Sequence, residues 1–463
     1  MSLPIYPSTS TFNIPAINSN YRSYLTAVVG GSTWFCTTGA NPILATNQPA
    51  PSTSLISSTR LVSMATIFQK VYIVDGSSTI FQANPSTLAM ETYSTTAGTH
   101  PTFCNLACNW RSRLILAGDI NSPHLFYCAR LGTPTDWDYS QTDPASAFAG
   151  NLSIAGQIGE PIIALIPYSD DYLVVGCAHS MWMLSGDPAD GGSIVRISDS
   201  IGIIGPRAWA IDPVGTLYFV GSGGLYRLRP AWEKLEPAKN LSASTMNRFF
   251  DALSWNYQSI QLVYDSDLHY LYVFVTPTSS TSTGTHMVYD ARYGGFWPQG
   301  YPRLVGPTSA VAFEGQNDPN SRAIIVGGWD GYLRVMDQGA FDDDSSTVSS
   351  YLVFGPLHPI PMQSILTAAT VNFGDLFLGD ASSTWNANLS LYGGPNAFTV
   401  TEGTPRNSTF INYSMDQRQK TARQRLRGEW FTVKIHNSTN NAYFSFESAL
   451  LEFEPAGRNR ERR

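Results

Sequence analysis

The stretch "GPRAWAIDPVGTLYFVGSGGLYRLRP", residues 205–230, decides the architecture. An apolar run from Leu217 to Val220 is followed by Gly221, Gly223 and Gly224, and then by a second short apolar run. The first run holds β-branched and aromatic residues with no polar alternation. A short continuous apolar run bounded by turn residues marks a strand that is covered on both faces.

The same phrase recurs along the chain. "KVYIVDGSSTIFQANPS" (70–86), "RLILAGDINSPHLFYCA" (113–129) and "DYLVVGCAHSMWMLSGDP" (171–188) precede the opening stretch. "HYLYVFVTPTSSTSTGTHMVYD" (269–290) and "AIIVGGWDGYLRVMD" (323–337) follow it. The centres lie roughly 40–60 residues apart, the range of a four-stranded propeller blade with loop insertions. In a propeller the inner strands lie between neighbouring blades, so both of their faces are covered. Six centres predict about six blades over residues 60–350, and residues 22–38, "RSYLTAVVGGSTWFCTT", can add a closing strand. Two independent β-sandwiches are the alternative, but sandwich strands rarely fall into such similar long-period groups.

The texture changes after residue 350. Proline-rich "FGPLHPIPMQ" (354–363) reads as a connection, so 351–364 is assigned as a linker and 1–59 as a partly extended N-terminal extension. "ATVNFGDLFLG", "ANLSLYGGP" and "GEWFTVKIHNSTNNAYFSFESALLEFEP" read as strands of a β-sandwich-like unit over 365–463. The fold class is therefore all-β, a propeller followed by a C-terminal sandwich-like unit.

Composition agrees with this reading. The 463 residues are 43% hydrophobic and 14% charged, well below the roughly 25% charge of ordinary soluble domains. A net charge of −7 argues against a protein that coats nucleic acid. Five cysteines make a complete disulfide framework improbable, and Cys36, Cys128 and Cys177 read as small core side chains. The first twenty residues carry no basic segment followed by an apolar one, and no run reaches about 18 apolar residues. The expectation is a protein folded in a cytoplasm, with no membrane insertion.

Against the acidic background, one dense basic run stands out in "RQKTARQRLRGEW" (418–430), and "RNRERR" closes the chain. Arg418, Lys420, Arg423, Arg425 and Arg427 are the candidate protein–protein interface, because the planar guanidinium fork suits such contacts. Aromatic residues do not interleave with them, which speaks against stacking on single-stranded bases. A solvated face is the bland alternative.

Catalytic and metal chemistry find less support. His100, Cys104, Cys108, His124 and Cys128 lie close in sequence, but Cys104 and Cys108 are four apart, which on a strand puts both on one face yet far apart for a shared zinc ion. "FDDDSS" (341–346) and "GQNDPNS" (315–321) match no twelve-residue calcium loop. A propeller glycosidase needs a carboxylate pair, for which Asp119, Asp136, Asp138, Asp187, Asp199, Asp265 and Asp290 are available. Nothing in their spacing pairs two of them, and aspartate in a turn has a local hydrogen-bonding role. No nucleophile elbow, paired-histidine zinc motif or phosphate loop occurs, so no catalytic residue and no cofactor is expected.

Three stretches carry a resemblance. "YSDDYLVVGCAHSMWMLSGDP", "DSIGIIGPRAWAIDPVGTLYFVGSGGLYRL" and "THMVYDARYGGFWP" together resemble the tail hub and nozzle proteins of short-tailed bacteriophages. The turn Ser200 to Gly205 and the later element Val288, Tyr289, Asp290 and Trp297 carry it. "DQRQKTARQRLRGEWFTVKI" looks like the family's C-terminal stretch, and the arginine-led "WRSRLILAGDINSPHLFYCARLGTPTDWDY" fits a phrase of its virion proteins. The resemblance implies a structural virion protein made in the host bacterial cytoplasm. It further implies a homo-oligomeric ring, commonly of six copies, below the portal and adaptor, through which double-stranded DNA passes without tight binding. A receptor- or glycan-binding propeller, using aromatics such as Trp137, Trp182, Trp297 or Trp329, is the rival, as is a propeller glycoside hydrolase.

Overall fold

The computed structural model describes residues 25–36, 42–47, 56, 60–150, 158–229, 238–253, 258–278, 283–313, 322–336, 342–343, 346–373, 384–401, 406–414, 419–438 and 442–456. Contacts divide the chain into two compact units, Met1–Met336 and Asp337–Arg463. In the opening stretch, Leu217–Gly221 and Gly224–Leu228 pair as an antiparallel hairpin. Gly224 sits at φ +128°, and a Cβ there would lie 2.1 Å from Ser242 Oγ, so glycine is required. Alternate residues of the hairpin serve two different cores. Leu217 and Phe219 pack with Ile166 and Val174 of the preceding sheet. Tyr218 and Val220 pack with Leu262 and Val273 of the following one.

Among the described residues, seven antiparallel sheets repeat this arrangement in the first unit. Blade 1 holds Leu25–Val29, Ser32–Cys36 and Ile43–Leu44. Blade 2 begins at Ser63–Ile67 and ends at Ala89–Glu91, and blade 3 runs from Leu106–Trp110 to Phe148–Gly150. Blade 4 spans Ile162–Pro167 to Ser193–Ser198, and blade 5 spans Trp209–Ile211 to Lys239–Asn240. Blade 6 runs from Gln258–Asp265 to Phe296–Gln299, and blade 7 from Ser309–Phe313 to Leu333–Val335. Among the described residues, blades 2 to 6 have four strands each, and blades 1 and 7 have three.

Each neighbouring pair of sheets shares its own apolar core, and these cores close a circle. Ile73 of blade 2 meets Phe35 of blade 1, while Tyr72 on the other face meets Leu114 of blade 3. Ile115 joins blade 3 to Val175 of blade 4. Tyr272 and Phe274 of blade 6 meet Ile324 of blade 7. Ile325 and Phe313 of blade 7 return to Cys36 of blade 1. The unit is a closed seven-bladed propeller. Burying a side chain of this size contributes about 1.5–3 kcal/mol, so every seam between blades is a stabilising element. The seam between blades 7 and 1 is closed by side chains, because no strand is shared between those two sheets among the described residues.

The propeller therefore has seven blades where the six centres predict about six. The seventh comes from residues assigned to an N-terminal extension over 1–59: of these, 25–36 and 43–44 form a blade sheet rather than an extended arm. The propeller unit closes at Met336, not 350.

The second unit is a β-sandwich. One sheet has the order Ser350–Leu357, Trp430–Asn437, Thr384–Gly394, Arg406–Ser414, and the other has Gln419–Gly428, Ser364–Asn372, Ser448–Pro455. Leu366, Val371 and Leu426 of the smaller sheet pack against Leu389, Val433 and Ile435 of the larger. Residues 351–364 are thus no linker throughout: Ser350–Leu357 is an edge strand of the sandwich. Its register skips between Phe354 and Leu357, and an edge strand tolerates Pro356 there because the missing N–H is not needed for a second partner.

Candidate interface on the C-terminal sandwich

The basic run forms the strand Gln419–Gly428, at one edge of the three-stranded sheet. Its odd and even positions have opposite fates. Ala422 and Leu426 enter the sandwich core, while Arg423, Arg425 and Arg427 are exposed on the outer face. The two-residue period of a strand therefore puts three guanidinium groups in one row. Arg427 Nη2 donates to Gln363 Oε1 at 2.6 Å. Lys420 pairs with Val371 in the sheet, and Arg418 lies outside the described residues, as do Arg458, Arg460, Arg462 and Arg463.

The central strand, Ser364–Asn372, bonds to both neighbours along its length. Its far neighbour, Ser448–Pro455, turns Leu451 and Phe453 toward the core and exposes Leu450, Glu452 and Glu454. Register fixes which residues share a row. Arg423 and Glu452 both face Ala368, and Arg427 and Glu454 both face Ile365. Cross-strand partners project to the same side, so the outer face carries arginines along one edge and glutamates along the other. Two strand spacings, about 9.6 Å, separate these edges. Among the described residues no ion pair joins them, and no strand pairs with the outer side of either edge. Sequence reasoning singled out the arginines. It missed the glutamates, although the alternation in "SALLEFEP" marks them as outward.

The aspartates named as candidates for hydrolysis make local hydrogen bonds. Asp119, Asp136, Asp138, Asp187, Asp265 and Asp290 each accept a hydrogen bond from the backbone N–H two residues on. Asp75, Asp212 and Asp330 do the same, so this turn recurs in every blade from 2 to 7. Asp199 instead pairs with Arg196 at 2.7 Å. Aspartate here shapes turns.

All five cysteines are free and buried. Burial pushes the thiols of Cys36, Cys104, Cys128 and Cys177 up to about 12, and raises that of Cys108 as well. Among the described residues no three His, Cys, Asp or Glu side chains are grouped to hold a metal ion. Residues 315–321 lie outside the described residues, as do the side chains of 341–346. No described helix is long and apolar enough to cross a membrane.

Of the candidate sugar-stacking aromatics, Trp137 and Trp182 are buried. Trp137 Nε1 donates to Tyr93 Oη at 2.6 Å, and Trp182 carries Arg196 over its ring at 5.3 Å. Trp297 is 37% exposed and meets Tyr270 edge-on at 5.1 Å. Arg292 covers both Tyr270 and the 84% exposed Tyr293, giving blade 6 one exposed aromatic corner.

No protein-family model and no curated protein matches the chain. Solved structures with some likeness include one described as a 6-phosphogluconolactonase from Bacteroides uniformis, 15% identical, with a TM-score of 0.43 over 66% of this chain and 91% of that one. Another is YCF48 bound to D1 peptide, 12% identical, with a TM-score of 0.42 over 73% of this chain and 99% of that one. The seven-bladed assignment rests on the sheets and the cores between them.

Proposed function

We propose that the protein is a structural component of a short-tailed phage tail, one copy of a hub or nozzle ring below the portal and adaptor. The ring retains packaged double-stranded DNA and lets it leave at infection, with no bond-breaking step and no cofactor. The carrying observation is the ordered likeness of 168–188, 199–228, 285–298 and 416–435 to that family. The arginine-led strand starting at Arg113 and the exposed row Arg423, Arg425 and Arg427 support it, the first as a fixed element of blade 3 and the second as a surface for assembly. Net charge −7 suits a conduit, because a basic lining would hold phosphates and release them only at high salt.

Two measurements test the reading. The isolated protein should bind duplex DNA no better than about 10⁻⁴–10⁻⁶ M at physiological salt, by fluorescence anisotropy. Imaging of the particle should place it as a closed ring on the tail axis. Nanomolar duplex affinity or a position on peripheral fibres would refute the conduit.

The aromatic corner of blade 6 favours a second reading, a receptor- or glycan-binding tail propeller. Its test is glycan-array binding that Trp297→Ala and Tyr293→Ala abolish.

A further inference from the structure

The outer strands of the small sheet are two unpaired edges with opposite charge. An unpaired edge offers backbone N–H and C=O groups to another strand, and natural proteins commonly protect it with charge. Here the protection is selective. The arginine edge cannot approach another arginine edge without setting Arg423, Arg425 and Arg427 against like charge. The glutamate edge repels its own kind through Glu452 and Glu454. Both two-fold symmetric pairings are disfavoured, whereas the pairing of one kind of edge with the other brings opposite charges together.

We infer that the occupant of each edge is a second copy of this chain, with Ser448–Pro455 of one protomer adding to Gln419–Gly428 of the next. Geometry permits a repeat. Both edge strands run antiparallel to Ser364–Asn372 and hence parallel to each other. A rotation about an axis along the strands therefore brings them side by side as a parallel pair. With Glu452 beside the partner's Arg423, a regular ladder sets Glu454 beside the partner's Arg425, because the register shift between Leu366 and Ala368 makes the two edges advance by different numbers of residues along the central strand. Exposed Leu450 would then lie beside the partner's Thr421. The contact is head-to-tail, uses different surfaces on the two protomers, and generates a ring if the rotation closes.

The contact follows from the edges alone, but its copy number rests on the ring reading above. With six copies the joined three-stranded sheets form about 18 strands, the size at which a closed barrel leaves an aqueous channel.

Full-length protein and two charge-reversed variants decide the matter. Glu452→Arg with Glu454→Arg makes both edges basic, and Arg423→Glu with Arg425→Glu makes the arginine edge acidic. All substituted side chains are exposed, and circular dichroism with thermal melting checks that each variant keeps the fold. In sedimentation velocity the wild type should self-associate at low salt and dissociate as salt rises. Each variant alone should associate at least about tenfold more weakly, since attraction at two positions becomes repulsion. An equimolar mixture should recover assemblies in which the two variants alternate, visible by native mass spectrometry as even copy numbers. Wild type that stays monomeric, variants that assemble like wild type, or folded variants that fail to associate on mixing would each overturn the inference. Ring formation on the tail axis is judged separately by particle imaging, so an axial ring that tolerates both reversals defeats this contact and leaves the hub reading standing.

Discussion

Arg113 offers the sharpest test of how the propeller is held together. Its side chain is fully buried at the head of the blade 3 strand Arg113–Ala117. Nε and Nη2 grip the Asp187 carboxylate of blade 4 at 3.0 and 2.9 Å. Nη1 donates to Ala129 O and Ser146 O at 2.9 and 2.8 Å, and Nη2 also donates to Pro144 O at 3.2 Å. All five N–H groups of the guanidinium are thereby used. Arg113→Met should cost about 3–5 kcal/mol, because Asp187 is left buried without its counter-charge and three carbonyls lose their donor. Arg113→Lys keeps the charge but not the planar fork, so some acceptors stay unpaired, at about 1–3 kcal/mol. Asp187→Asn retains the cap on Ala189 N–H while removing the charge. Combined with Arg113→Met, it should give a total smaller than the sum of the single effects, by about 0.5–3 kcal/mol. Thermal and urea unfolding, followed by tryptophan fluorescence, read these differences. An Arg113→Met variant within about 0.5 kcal/mol of wild type would refute the reasoning, since only a surface site behaves so.

Three further outcomes are expected. His286, buried against Phe274 and Tyr301, is held down to about 4 from an ordinary 6.5 by burial. Between those values the unfolded chain binds the proton and the fold does not, so stability is lost as pH falls from 6.5 to about 4, by about 3 kcal/mol, and His286→Phe should flatten that slope in denaturant midpoints measured against pH. Leu217→Asp or Tyr272→Asp buries an unpaired charge between blades and should leave the protein insoluble or cooperatively melted, whereas a soluble variant with unchanged Tm would place that strand outside the interior. A thiol reagent at mildly alkaline pH should label none of the five cysteines in the native protein and all five in denaturant; rapid native labelling would contradict their burial.

The six inner hairpins were legible because a strand covered on both faces needs apolar residues at successive positions, as Leu114–Ala117 and Leu271–Val275 show. Blade 1 carries the same phrase in "AVVGGSTWFC", with Gly30 and Gly31 both at positive φ, but with only three short strands it offered no long-period partner. Ser350–Leu357 was hidden by Pro356, whose cost depends on whether a strand lies at an edge, and pairing with 430–437 decides that. The arginine row was visible as charge and its outward direction as alternation around Ala422 and Leu426. What no local pattern reveals is the relation between arginine and glutamate edges. It depends on Ser364–Asn372 pairing with the distant segments Gln419–Gly428 and Ser448–Pro455.

For the conduit proposed above, one half-buried side chain bears on where a channel can lie. Arg207, entering the first strand of blade 5, donates from Nη2 to Val62 O at the entry of blade 2, 2.6 Å away. Those blades are not neighbours, so the hydrogen bond ties blade 5 directly to the entry of blade 2. Arg207 is fixed there by its own backbone, since Leu262 N–H of blade 6 donates to Arg207 O at 3.0 Å. Leu61, Pro206 and Ile260 line the small cleft beside it. On the hub reading proposed above, this contact inside one propeller argues for a channel that forms between protomers instead of through one. On that reading the demand of assembly falls on the surfaces proposed to join copies, and the blade seams serve each copy's own stability. The two edges of complementary charge would meet that demand, because a parallel strand pair would add backbone hydrogen bonds along its length while the arginine and glutamate rows would select the direction of assembly.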